Sequence, residues 1–130
     1  PASRLLAQSA KYRSAPIDAA GPDYVNAVAE LRSELEPTAL LVQLQALERQ
    51  FGRQRAYRHA PRTLDLDLLY FGRRRLASAA LTLPHPRAHE RAFVLAPLAD
   101  LAPDWPLDSG PTVAQTLAAL HDQRIERIAR

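Results

Sequence analysis

The sequence predicts an α+β protein with a mostly antiparallel sheet. Two observations carry that expectation. Segments with period-two alternation interleave with segments whose apolar residues recur at helical spacing, and the connections between them are short enough for antiparallel pairing. A third observation is size. The chain has 130 residues, which suits one compact domain with an ordinary hydrophobic core.

The elements follow in order. Residues from about Leu5 to Arg13 alternate imperfectly and read as a strand. Ser14 to Pro22 is a breaker-rich loop containing Pro16, Gly21 and Pro22. Val25, Ala27, Ala29 and Leu31 then alternate with Asn26, Val28, Glu30 and Arg32, the period of a second strand. Pro37 suits the first turn of a helix, and Leu40, Leu44, Leu47 and Phe51 form one apolar stripe. Gly52 can close that helix. Arg53 to Arg62 has no apolar periodicity and reads as an exposed loop. The stretch Arg62-Thr63-Leu64-Asp65-Leu66-Asp67-Leu68-Leu69-Tyr70-Phe71-Gly72 reads as a strand. Ala79 to Leu83 suggests a short strand, and Leu83-Pro84-His85-Pro86 a stiff turn. Arg91 to Leu101, containing Pro97, and Thr112 to about Leu120 read as helices.

Composition bounds the setting. No apolar run reaches 18 residues, so no membrane span is expected. The sequence contains neither a basic-then-apolar leader nor cysteine, which excludes disulfides and thiolate metal sites and agrees with a cytoplasmic location. It also lacks methionine, so a processed or incomplete chain is expected. The net charge of +3 demands no polyanionic partner, and Lys11 is the sole lysine, so arginine carries nearly all the positive charge.

Chemistry concentrates around the two aspartates. In a strand Asp65 and Asp67 point one way, while Leu64, Leu66 and Leu68 point the other. Like charges so close disfavour joint ionisation, and a divalent cation relieves that cost. Strand geometry puts their Cβ atoms roughly 6–7 Å apart, within reach of two metal ions about 3.5–4 Å apart. Just upstream, Arg53, Arg55, Arg58 and Arg62 form a loop without acids, and the guanidinium fork matches phosphate oxygens. A basic loop alone is more often a solvated surface. Followed directly by two carboxylates, it fits phosphoryl or pyrophosphoryl transfer. His85, held between prolines, fits a fixed donor to phosphate or nucleotide. Tyr24 and Asn26 share a strand face and suit a planar heterocycle, the ring by stacking and the amide by reading its edge. Phe93 beside Arg91 is a further aromatic. No zinc cluster and no Gly-x-x-x-x-Gly-Lys loop is present.

Pro61 to Gly72, then Leu83-Pro84-His85-Pro86-Arg87, then Glu90 to Leu98 together resemble the 6-hydroxymethyl-7,8-dihydropterin pyrophosphokinases of folate biosynthesis. The order of Tyr12-Arg13-Ser14, Pro22 to Ala27, and Leu47-Glu48 to Gly52-Arg53 matches as well, so the resemblance covers essentially the whole chain. It implies a ferredoxin-like, three-layer α/β/α fold and transfer of pyrophosphate from ATP to the pterin alcohol, releasing AMP. It further implies that Asp65 and Asp67 bind two Mg²⁺ ions, and that Arg62, Arg91 and His85 contact the triphosphate. Leu68 and Thr82 would line the nucleotide pocket with Gln45 and Glu48 nearby. Arg53 and Arg55 would belong to a mobile loop that steadies the transferred group. Tyr24 and Phe93 would enclose the pterin, Asn26 would read its edge, and backbone groups near Ser14, Ala15 and Ile17 would complete that pocket.

The family's N-terminal strand, ending in Gly-Ser-Asn-Leu-Gly, and the helix after it have no counterpart here. Residues 1–130 are therefore expected to be a single pyrophosphokinase domain truncated at its N-terminus. Pro86 stands where the family can carry an aromatic residue. The expected partners are ATP and a dihydropterin, with no nucleic acid and no membrane, and a monomer is the expected state. A nucleic-acid module ranks behind this reading, because the sheet lacks paired exposed aromatics and the aspartates would repel a phosphate backbone. Transfer of a nucleotidyl or phosphoryl group to another alcohol is the enzymatic alternative.

Overall fold

The computed structural model describes residues 2–14, 24–52, 65–107 and 110–129. Among them the strands are β1 (Ser3–Gln8), β2 (Lys11–Ser14), β3 (Tyr24–Asn26), β4 (Ala29–Ser33), β5 (Leu76–Ala77), β6 (Thr82–Leu83) and β7 (Ile125–Ala129). The helices are α1 (Pro37–Gly52), α2 (Ala92–Leu101) and α3 (Val113–Ala119), with a 3-10 turn at Ala88–Glu90. The mixture of helices and antiparallel strands is the α+β class expected. The chain divides into two compact units, one formed by Ser3–Arg32 with Arg87–Arg130 and the other by Ser33–Pro86.

In the first unit, each long strand suggested by alternation is two strands. Ser9 explains the break. Its N–H donates to the Val28 carbonyl at 2.8 Å, while its Oγ accepts the Val28 N–H at 2.9 Å and donates to the Ala10 carbonyl at 2.7 Å. A hydroxyl thus takes the place of a backbone acceptor, and the ladder is interrupted on both chains at once. On one side of the break β1 pairs with β4. On the other, β2 pairs with β3, with Tyr12 opposite Asn26 and Ser14 opposite Tyr24.

The other edge of β2 pairs with β7, a strand that alternation does not announce. Its two isoleucines, Ile125 and Ile128, are three residues apart rather than two. The register slips as β2 steps from Lys11 to Tyr12 while β7 steps from Ala129 to Arg127. Such a bulge changes the phase of a strand, so residues three apart can both be partly covered, and both isoleucines are half-buried.

Helix α2 packs on β2 and on α3. Ala10, Tyr12 and Ala96 are buried together, with Leu117 and Ile125 against them. Leu95 and Pro97 of α2 are completely buried. Pro97 cannot return an N–H to the Phe93 carbonyl, but its ring is part of the core. Helix α3 starts with a reciprocal cap. Thr112 Oγ1 accepts the Gln115 N–H at 3.2 Å, and Gln115 Oε1 accepts the Thr112 N–H at 2.9 Å.

In the second unit, α1 starts at Pro37, as the sequence suggests, and buries Leu40. Leu47 and Phe51, lower on the same stripe, remain exposed. Strands β5 and β6 form a two-residue antiparallel pair, Leu76 opposite Leu83 and Ala77 opposite Thr82. Among the described residues no helix is long and apolar enough to cross a membrane.

One acid ties helix to sheet in the first unit. Asp100, near the end of α2, accepts the Tyr12 hydroxyl at 2.9 Å and the Ala10 N–H at 3.1 Å. The second bond satisfies the donor stranded where β1 gives way to β2. Asp100→Ala removes both acceptors and is expected to destabilise the protein by about 2 kcal/mol, read as a lower urea midpoint with an unchanged slope. Asp100→Asn, which can still accept one of the bonds, should lose less.

Candidate active site

The second unit holds the aspartates. Among the described residues, 65–71 belong to no regular ladder, which corrects the strand expected there. Their backbone groups bond individually instead. The Leu66 N–H donates to Glu48 Oε2 on α1 at 2.7 Å, and the Leu69 carbonyl accepts the His85 N–H at 2.8 Å. The alternation itself survives. Asp65 and Asp67 are exposed, while Leu66 and Leu68 are half-buried, so both carboxylates lie on the solvent side of an apolar anchor. Arg62, whose chemistry belongs with this segment, lies outside the described residues, as do Arg53 and Arg55.

A tight turn sets the opposite wall. Ser78 Oγ donates to the Leu81 carbonyl at 3.0 Å and accepts the Leu81 N–H at 3.2 Å. That closure leads into β6 with Leu83 buried and Thr82 outward. After the cis Leu83–Pro84 bond, the His85 N–H bond noted above holds the histidine beside the aspartate segment. Between these walls lies an open cleft of about 260 Å³, lined by Leu41, Asp67, Leu68, Thr82 and His85 among others. Four residues expected around a nucleotide or metal, Asp67, Leu68, Thr82 and His85, are thus brought to one cleft.

Glu48 and Gln45 do not line this cleft. Glu48 spends one carboxylate oxygen on backbone rather than facing solvent with both, and Gln45 is exposed. Leu41, a wall residue without reactive chemistry, drew no notice in the sequence. The signal was present nonetheless, because Leu41, Gln45 and Glu48 recur at spacings of four and three and share a helix face.

Among the described residues, no group of three or more His, Cys, Asp or Glu side chains comes together as a metal cage. Mg²⁺ does not require one, since it is commonly held by one or two carboxylates completed by water and substrate phosphates. Two exposed aspartates on one side of an anchored segment fit that ion.

The first unit holds the residues expected around a heterocycle. Tyr24 is 57% exposed on β3, and Asn26 is half-buried on the same strand face. Ser14, opposite Tyr24, is buried, and its Oγ has no hydrogen-bond partner among the described residues. Phe93 is half-buried in the first turn of α2, which also packs against β2 and β3. The Arg91 guanidinium lies 5.4 Å from the Phe93 ring centroid, inside cation–π range. Its Nε is buried without a hydrogen-bond partner among the described residues. Ala15 and Ile17 lie outside the described residues.

Asp67 at the edge of a small cleft of mixed polarity, with Asp65 exposed two residues before it, is an arrangement compatible with the transfer of phosphate groups. The chain belongs to the 7,8-dihydro-6-hydroxymethylpterin-pyrophosphokinase family, whose model matches residues 2–103. Similar proteins carry the name 2-amino-4-hydroxy-6-hydroxymethyldihydropteridine pyrophosphokinase. One from Pseudomonas aeruginosa is 48% identical over 129 residues, 98% of this chain and 80% of its own length. One from Haemophilus influenzae is 37% identical over 127 residues, 97% of this chain and 79% of its own. A Synechocystis protein is 49% identical over 111 residues, 84% of this chain, and there the match spans only 56% of the relative's length.

The Glu48 bond has a local consequence. Glu48→Ala leaves the Leu66 N–H without its acceptor, so exchange of the Leu66 amide should accelerate about tenfold or more. Gln45→Ala, on the same helix face, should leave that amide unchanged. Hydrogen exchange followed by NMR reads both.

Proposed function

We propose that this chain transfers the terminal pyrophosphoryl group of ATP to the hydroxymethyl oxygen of a 6-hydroxymethyl-7,8-dihydropterin. The observation that carries this reading is the exposed Asp65 and Asp67 face, anchored by Glu48 and His85 backbone bonds and bordered by Thr82 and His85. Family membership supports the pterin acceptor. In the reaction the pterin oxygen bonds to the β-phosphorus, the bond from that phosphorus to the α-phosphate oxygen breaks, and AMP departs. The hydroxyl proton passes to solvent.

Asp65 and Asp67 would hold Mg²⁺, which when bound neutralises charge on the phosphate oxygens; the family reading gives two such ions. Leu68 and Thr82 would border the nucleotide, and His85 and Arg91 would bind its phosphates. Arg53, Arg55 and Arg62 are assigned to the same charge by the arginine chemistry of their sequence. Tyr24 and Phe93 would enclose the pterin ring, with Asn26 hydrogen-bonded to its edge and backbone near Ser14, Ala15 and Ile17 completing the contact. The same reading extends to a single ferredoxin-like, three-layer domain working in the cytoplasm as a monomer.

Asp67→Ala tests the assignment. Asp67 is exposed, so the melting temperature should stay within a degree or two of the parent, as about ±0.5 kcal/mol is usual for surface changes. AMP formation from ATP and dihydropterin should fall about a hundredfold or more. Near-normal turnover in that variant would remove the carboxylate pair from the mechanism.

A further inference from the structure

Arg91 occupies an unusual backbone position. It separates the 3-10 turn Ala88–Glu90 from α2, in extended conformation with φ −124° and ψ 114°, and its own side chain gives the helix no cap. The cap comes from 31 residues away. Gln123 Oε1 accepts the Ala92 N–H at 2.8 Å, and Gln123 Nε2 donates to the Glu90 carbonyl at 2.8 Å. Only one amide orientation satisfies both bonds, because the acceptor must face the N–H and the donor the carbonyl. The amide therefore grips the backbone on both sides of Arg91. Between those two points the arginine side chain reaches over Phe93, with Nε buried and without a hydrogen-bond partner among the described residues. A buried guanidinium N–H with no acceptor among the described residues is costly, and an anionic oxygen would offset that cost.

We infer that Gln123 is a positioning residue for the nucleotide phosphates, acting through Arg91. It touches no substrate. Its two bonds fix the Glu90–Ala92 backbone and hence the direction in which the guanidinium is presented. This inference rests on the assignment of Arg91 to the triphosphate. Shorter side chains cannot replace the grip, since the two backbone groups lie on either side of an intervening residue and both ends of the amide are needed. Gln123 lies before β7, in a stretch whose sequence carries no sign of a site. Only the return of the chain to the start of α2 gives it a role.

The test is a double-mutant cycle on Arg91 and Gln123, read by calorimetric binding of α,β-methylene-ATP with Mg²⁺. This analogue carries carbon at the bond the reaction would break. Gln123→Ala should weaken binding about tenfold, because the released Glu90–Ala92 backbone must be reordered when the phosphates bind, a cost of the order of one net hydrogen bond, and Arg91→Ala should weaken it at least as much. In the Arg91→Ala background, Gln123→Ala should add less than twofold, because the group it positions is already gone. A general loss of structure would instead add in full on both backgrounds, and that result overturns the inference. So does Gln123→Ala binding like the parent while Arg91→Ala is impaired. Unchanged binding in Arg91→Ala would overturn the assignment of Arg91 itself, a separate outcome. If Gln123→Ala fails to fold, Gln123→Glu serves in its place. It keeps the acceptor for Ala92 at a helix N-terminus, where negative charge is favourable, but opposes the Glu90 carbonyl. It should fold and still bind about tenfold more weakly; parent-like binding would overturn the inference.

Discussion

The bond from the Leu66 N–H to Glu48 is the interaction on which the aspartate site depends. Leu66 stands between Asp65 and Asp67, so fixing its backbone fixes the origin of both carboxylates. The bond also sets a constraint. It brings a third carboxylate to the backbone of a segment already carrying two, and negative charges gathered this way are unfavourable without a counter-charge. Exposure lets water screen Asp65 and Asp67, while alternation sets their common side and the Glu48 bond anchors the segment between them. A divalent ion shared with substrate phosphates is the counter-charge proposed for this face. The His85 N–H bond to Leu69 then brings the cleft wall and the aspartate face under one set of backbone restraints.

The first unit uses the same device with different partners. Asp100 accepts backbone and phenol donors where two strands break, and Gln123 grips the backbone on each side of Arg91. In each case a polar side chain satisfies groups that regular secondary structure leaves open. Those open groups occur where Ser9 interrupts a ladder and where a 3-10 turn meets a helix, close to Ser14 on β2, to Arg91 before α2 and to Phe93 in its first turn.

Much of the candidate site was legible because its chemistry is local in sequence. Asp65 and Asp67 declare themselves by alternation, His85 by its prolines, and Tyr24 with Asn26 by sharing a strand face. α1 follows from its apolar stripe with Pro37 and Gly52 at its ends, and α2 and α3 fall within a residue of the helices read from the sequence. The rest depends on long-range partners. Glu48 read as a neighbour of the nucleotide, but its bond to Leu66 spans 18 residues and cannot be inferred from helix periodicity. Asp100 and Gln123 look like ordinary surface residues until the chain returns to them. β7 was hidden by its bulge, which sets Ile125 and Ile128 out of alternation, and the splitting of the long strands was hidden because a serine hydroxyl imitates a backbone acceptor.

Phosphorus-31 NMR of the protein with ATP, Mg²⁺ and 6-hydroxymethyl-7,8-dihydropterin tests the central claim most directly. If the anchored aspartates support pyrophosphoryl transfer, AMP and a pterin diphosphate should appear in equal amounts, and neither should form when the pterin is omitted. Formation of ADP, or of AMP with free pyrophosphate at a rate indifferent to the pterin, would contradict the account.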